Sequence, residues 1–391
     1  MSFDQKDVSF VHGHATRANW RTSPFSQWAF HNVRDIIPSV DIENDPIRVV
    51  PLLTEILSFD QFSLAAGDGQ FWGLDEFLRK TCTDGFVVLH DNRVVYEFYD
   101  NGMTQWTPHI LMSATKSVVG LIAGILQSRG VLDVDALVSD FVPEVARTAY
   151  SGATIRQLLD MRTSIVFNEQ ELRAYDAASN WNSPIADDAE ASLHAFFEKT
   201  TGSAHSHGGP FRYLSPNTDL LGWVLERATG RQFAELASEL LWKPMGAESS
   251  AYITVDDSNA ARCTGGLCAT ARDFARIGWL VAADGYCGAA EVLPSAWIQD
   301  MADHGDCEAW NEGDFAPLFS GTNMRYRSGW YVIDDEPKTL FAMDIYGQNL
   351  FVDQKNRIVI AKMSSQAAAI DPSAIRLTHQ AVAKIRHCLT G

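Results

Sequence analysis

Ser113 and Lys116, within LMSATKSVVG (111–120), are the residues of this chain whose types and spacing most directly suggest covalent chemistry. On a helix, positions three apart share a face with Cβ atoms about 5–6 Å apart, so the hydroxyl and the amine can touch. A serine in the first turn meets free backbone NH groups and the positive end of the helix dipole, which favour an anion developing beside it. The run that follows, SVVGLIAGIL, is apolar on nearly every face. An ammonium held among such residues loses solvation, and its pKa falls. A neutral amine beside a hydroxyl is a general base beside a nucleophile. The competing reading is an N-cap serine followed by a snorkelling lysine, and Ser-x-x-Lys alone does not separate the two.

A third group lies downstream. FRYLSPNTDLLGWVLERATG (211–230) places Tyr213 in a Pro- and Asn-bearing loop just before a helical pattern, with Ser215 and Asn217 beside it. A tyrosine there can relay a proton to a leaving group while Ser215 or Asn217 orients it. Alternatively, Tyr213 is an aromatic anchor and Asn217 a cap. Further on, AMDIYGQNLFVD (342–353) reads as a strand followed by Gly347 and Gln348, where backbone can approach a substrate closely.

These residues need elements to position them. FVVLH, the turn Asp91-Asn92 and RVVYEFY predict a hairpin over 86–99. The apolar helix follows from about Ser113 and stops at Gly130. IRQLLDM, AEASLHAFFEKT, TDLLGWVLERATG, FAELASELLWKPMG and ARDFARIGWLVAADG give a mostly helical middle. Strands return as SGWYVID, TLFAMDIYG, NLFVD and RIVIAKMSS, and a last helix opens at Pro372. The expected fold is α+β: one antiparallel sheet built from the two chain ends, flanked by helices, with a mostly helical lobe inserted and a cleft between lobes. The divisions expected are an N-terminal extension over 1–75 packed on the body, an α/β lobe from 76–130 and 320–391, and a helical lobe over 131–319. Together they would form one catalytic unit.

The chain has 391 residues, with 31 Lys and Arg against 49 Asp and Glu, a net charge of −18 that repels nucleic acid and anionic membrane. No segment reaches the roughly 18 uninterrupted apolar residues that spanning a bilayer takes. The first twenty residues lack a signal-peptide pattern, so the expected location is cytoplasmic. Six cysteines include one close pair, Cys263 and Cys268, without a second pair to complete a zinc site, and free buried thiols are expected. The histidines of HGH (12–14) and HSH (205–207) read as loop residues. Neither a metal nor an organic cofactor is expected.

HILMSATKSVVG, LLDMRTSIVFNE (158–169), FRYLSPNTDLLGWVLERATG, GGLCATARDFARIG (265–278), SGWYV and IYGQNLFVD occur in this order from about residue 85 onwards. Together they resemble the serine β-lactamase and penicillin-binding-protein superfamily, whose first signature is Ser-x-x-Lys. The resemblance is greatest to its class C related branch of esterases, D-amino-acid peptidases and above all the 6-aminohexanoate-dimer hydrolases, which are nylon-oligomer amidases. It implies a β-lactamase/transpeptidase-like fold in which Ser113 is acylated, Lys116 takes or shares its proton and Tyr213 passes a proton to the departing group. The tyrosine motif, commonly Tyr-x-Asn, reads Tyr213-Leu214-Ser215, which would put Ser215 in the hydrogen-bonding place. The implied oxyanion hole is the NH of Ser113 with that of Ile345. The third motif, Lys-Thr-Gly, is absent: Ala342, Met343 and Asp344 hold its places, so the cation that grips a β-lactam carboxylate is missing and an acid stands where glycine is usual. Asp344 is then either an attractor for a substrate ammonium or a surface carboxylate. The loop 168–181 is expected to cover the cleft, with Tyr175, Asp176 and Trp181 as candidate substrate contacts, and Trp330 as another. The implied activity is a serine hydrolase working through an acyl-enzyme on a small ester or linear amide. Carboxylesterase, D-amino-acid peptidase or carboxypeptidase, β-lactamase and non-catalytic binding protein are the alternatives. The expected partner is the small-molecule substrate, with neither nucleic acid nor membrane, and a homodimer is one assembly open to the chain.

Overall fold

The computed structural model describes residues 14–391 except 68, 183–191, 202 and 205. His12 and His205 therefore lie outside the described residues. In chain order the strands of the two main sheets are β1 (Ser39–Ile42), β2 (Leu53–Thr54), β3 (Thr83–His90), β4 (Arg93–Tyr99), β5 (His109–Ile110), β6 (Ala251–Thr254), β7 (Leu267–Ala269), β8 (Met324–Arg327), β9 (Trp330–Ile333), β10 (Thr339–Met343), β11 (Asn349–Asp353) and β12 (Ile358–Ser364). The helices that bear on the site are α1 (Thr115–Ser128), α2 (Glu169–Ala178), α3 (Ser215–Thr229), α4 (Ala271–Ala282) and α5 (Pro372–Thr390).

The large sheet runs β8-β9-β10-β11-β12-β3-β4-β2. The two chain ends meet where β12 pairs antiparallel with β3, Ile360 opposite Val88. Asp91 and Asn92 both adopt positive φ (49° and 60°), the backbone a tight hairpin turn demands. One edge departs from the expected antiparallel pattern, because β2 pairs parallel with β4. Every residue of β12 is buried, including Lys362, because helices cover both faces of the sheet. Val359, Ala361 and Met363 belong to the core that α1 and α4 share, while Ile358 and Ile360 belong to the core beneath α5. This two-residue alternation is what a pleated strand between two cores requires.

The second sheet, β1-β6-β7-β5, had no counterpart in the sequence reading. β5 has only two residues and β7 three, too few to establish a period. Its strand β1 comes from the N-terminal stretch, where Trp20, Phe30 and Ile37 pack with Met112, Trp181 and Tyr346. The N-terminal aromatics therefore lie against the turn that carries Ser113.

Glycine sets how closely α1 approaches the sheet. A Cβ on Gly120 would come within 2.0 Å of the Ser328 carbonyl oxygen, and one on Gly329 (φ +85°) within 2.6 Å of the Lys116 carbonyl oxygen. Only hydrogen side chains let the β8–β9 turn press on the helix here. The helix ends at Gly130, in the left-handed conformation with φ 67°.

Candidate active site

Ser113 lies in a 3-10 turn, Met112–Ala114, that leads into α1. Met112 holds positive φ (48°) although it is not glycine, and its buried side chain wedges against Trp181 and Tyr346. Such a conformation costs on the order of 1–3 kcal/mol and persists where the surroundings enforce it. One helical turn on, Lys116 is buried and its Nζ lies 2.5 Å from Ser113 Oγ. Nζ also donates to the Thr264 carbonyl at 2.8 Å. That carbonyl is fixed in turn: the Thr264 NH donates to Asp219 of α3 at 2.8 Å, and the same carboxylate receives Arg262 at 2.5 Å and the Tyr175 hydroxyl at 2.6 Å. Burial pulls the Lys116 pKa down to about 7, against the attraction of Asp344 and Asp219. A substantial fraction of this amine is therefore unprotonated at neutral pH.

Tyr213 reaches the same point from the chain just before α3. Its ring stacks on Phe315 with centroids 4.9 Å apart, and Lys116 Nζ lies 4.9 Å from its centroid. Its hydroxyl lies beside the side chains of Ser113 and Tyr331. Burial, and secondarily the nearby Asp344, pushes its pKa well above 10, so the phenol keeps its proton at neutral pH. Ser113, Lys116 and Tyr213 thus converge, although 97 residues separate the lysine from the tyrosine in the sequence.

Ile345 lies two residues past the end of β10 and opens a short 3-10 turn. The NH of Ser113 donates to the carboxylate of Asp344, and the Ile345 NH lies beside that same carboxylate and helps hold its charge. Asp344 is thus not a surface carboxylate. It faces the nucleophile, where burial raises its pKa to about 7 against the attraction of Lys116. The loop after it is tied to its neighbours by Gln348. Gln348 accepts the Asp344 NH with its backbone carbonyl at 2.9 Å, and its side chain bonds both the carbonyl (2.6 Å) and the NH (3.1 Å) of Ser364.

Several sequence expectations need correcting. The segment 168–181 is no loop, because α2 spans most of it, opened by a capping box in which Asn168 accepts the Glu171 NH at 2.9 Å and Glu171 accepts the Asn168 NH at 3.0 Å. Tyr175 is buried with its hydroxyl on Asp219, so it braces the lysine rather than touching substrate. Asn217 is wholly buried and accepts hydrogen bonds from Tyr150 and Thr163, tying α3 to its neighbours and leaving Tyr213 alone. Ser215 opens α3, while the side chain that neighbours the Tyr213 hydroxyl is that of Tyr331. Trp330 is buried beneath α1, its indole NH on the Ser117 carbonyl at 3.2 Å. Trp181, also buried, backs Met112 and donates to Thr254 at 3.1 Å. Asp176 is exposed on α2, where its charge acts on Arg21 and Arg262. Tyr331 is the residue the sequence reading missed. The signal was strand alternation, which sends Trp330 and its neighbour to opposite faces. All six cysteines are free, but only Cys263 and Cys268 are buried, and Cys82 is exposed. Among the described residues no three His, Cys, Asp or Glu side chains cluster as metal ligands.

Comparison with known proteins places this geometry. The family model described as Beta-lactamase matches residues 79–383. The chain belongs to the β-lactamase family. Within this family it is 31% identical over 360 residues to the 6-aminohexanoate-dimer hydrolase of Paenarthrobacter ureafaciens, covering 90% of this chain and 88% of that one. A solved Bacillus anthracis protein, provisionally named as a 6-aminohexanoate-dimer hydrolase, superposes with a TM-score of 0.87 at 26% identity, covering 100% of this chain and 99% of the other. A family VIII carboxylesterase shares the fold alone, with a TM-score of 0.57 at 18% identity over 79% of this chain and 96% of its own. This β-lactamase-family chain is a serine hydrolase similar to 6-aminohexanoate-dimer hydrolase, with an α+β fold of sheets flanked by helices.

Proposed function

We propose that the enzyme cleaves a small ester or linear amide through an acyl-enzyme on Ser113, as a class C related member of its family. The observation that carries this reading is the 2.5 Å approach of a buried, pKa-lowered Lys116 amine to the Ser113 hydroxyl. Lys116 takes the proton as Ser113 Oγ attacks the carbonyl carbon. The resulting oxyanion is received by the NH groups of Ser113 and Ile345, each such donor being worth about 2.7–4 kcal/mol in the transition state. Tyr213, still protonated, gives its proton to the departing alkoxide or amine and is resupplied from Lys116. Such acid–base assistance contributes about 10²–10⁴-fold. Water then releases the acid by the reverse proton path.

The missing Lys-Thr-Gly cation weighs against β-lactams and D-Ala-D-Ala peptides as substrates. Free thiols at all six cysteines are in keeping with a cytoplasmic site of action. The test compares wild type with Ser113→Ala on p-nitrophenyl butyrate and on 6-aminohexanoate dimer. Loss of both activities in the variant is expected. Turnover that survives Ser113→Ala contradicts the reading, and cleavage of the ester without the dimer assigns the protein to the carboxylesterases.

A further inference from the structure

Asp344 occupies the seat that a substrate carbonyl oxygen must take. Of the two proposed oxyanion donors, the Ser113 NH is spent on its carboxylate, and the Ile345 NH lies beside it. The backbone that carries it is held by Gln348 and Ser364, so only rotation of the Asp344 side chain can vacate the seat. A carboxylate accepts hydrogen bonds about twice as strongly as a neutral carbonyl, so an uncharged ester competes poorly for these donors. A carboxylate leaving them inside the cleft also needs a new counter-charge. The internal candidate is Lys116, which Asp344 already attracts. Pairing with Asp344 would hold that lysine protonated and remove the general base.

We propose that Asp344 is a specificity-determining residue: it competes with uncharged substrates for the oxyanion hole, slowing without abolishing their turnover, and yields it more readily to aminoacyl esters or amides, whose ammonium beside the scissile carbonyl receives the displaced carboxylate. The substrate cation then does two things at once. It vacates the Ser113 NH and the space beside that of Ile345, and it replaces Lys116 as the counter-charge, leaving the lysine free to lose its proton. This inference rests on the Ser113 acyl-enzyme reading and narrows it to a substrate class.

Glycine methyl ester and methyl propionate test it, because an ammonium replaces a methyl group at nearly constant shape. Their hydrolysis is followed by proton release for wild type, Asp344→Asn and Asp344→Gly, with the active-site concentration set by fluorophosphonate labelling. Wild type is expected to favour glycine methyl ester in kcat/KM. Asp344→Asn, nearly isosteric and uncharged, should lose that preference mainly through KM while methyl propionate turnover stays low. Asp344→Gly should lose the preference and also raise kcat/KM for methyl propionate by on the order of tenfold to a hundredfold, as the oxyanion donors come free. A wild-type preference for methyl propionate, or an unchanged ratio in both labelled variants, overturns the proposal. Failure of wild type to label at Ser113 instead overturns the acyl-enzyme reading beneath it.

Discussion

If Lys116 is the base, kcat/KM must follow its deprotonation. The perturbation is pH, and the groups facing the lysine are Ser113, Tyr213, Asp344, Asp219 and Arg262. Burial is the largest cause of its lowered pKa, and the two carboxylates only partly offset it. With a pKa of about 7 in place of the ordinary 10.5, nine-tenths of the amine is neutral at about pH 8, against roughly three parts in a thousand for an unperturbed lysine. Burial therefore raises the population of active base roughly 300-fold at that pH. For p-nitrophenyl butyrate, measured at an isosbestic wavelength between about pH 5.5 and 9, kcat/KM should climb with unit slope and level off above an apparent pKa near 7. Asp344 titrates in the same range, so the limb belongs to the pair rather than to either residue. The sign of its influence is fixed. Its negative charge raises the lysine pKa, so Asp344→Asn must move the limb to lower pH. A profile flat through pH 7, or a limb that Asp344→Asn shifts upward, refutes the reasoning.

Other perturbations separate the remaining parts. Tyr213→Phe should lower kcat/KM by about 10²–10⁴-fold for an alkyl amide, which needs leaving-group protonation, and much less for a p-nitrophenyl ester; equal losses on both would remove Tyr213 from the proton path. Gly120→Ala drives a methyl into the Ser328 carbonyl oxygen. It should cost about 1–3 kcal/mol by chemical denaturation and lower activity by tilting α1, and a neutral result would mean that the contact relaxes freely. Arg262→Ala leaves the buried Asp219 without its cation and should cost about 3–5 kcal/mol, whereas a loss under about 1 kcal/mol would show the pair to be dispensable.

Part of this organisation is legible in the sequence alone. The β3–β4 hairpin, α1, α3, α5 and the sheet joined from both chain ends follow from periodicity and turn residues, because each is long enough to display its period. Ser113, Lys116 and Tyr213 were legible because their types carry chemistry and ordered motifs flank them. The second sheet was not, since strands of two or three residues leave no pattern. Helix α2 was misread as a loop although Asn168 and Glu171 spell a capping box. Tyr175, Asn217 and Trp330 were misassigned for one reason: residue type suggests what a side chain can do, but only packing decides which way it faces. The inward turn of Asp344 depends on two backbone segments 231 residues apart, a relation that no local pattern encodes.

Covalent labelling with a fluorophosphonate, read by intact mass and peptide mapping, tests the central claim most directly. One adduct per chain on the peptide containing Ser113, absent from Ser113→Ala and slowed in Lys116→Ala, is the predicted result. An adduct on another residue, or equal labelling of the Ser113→Ala protein, contradicts it.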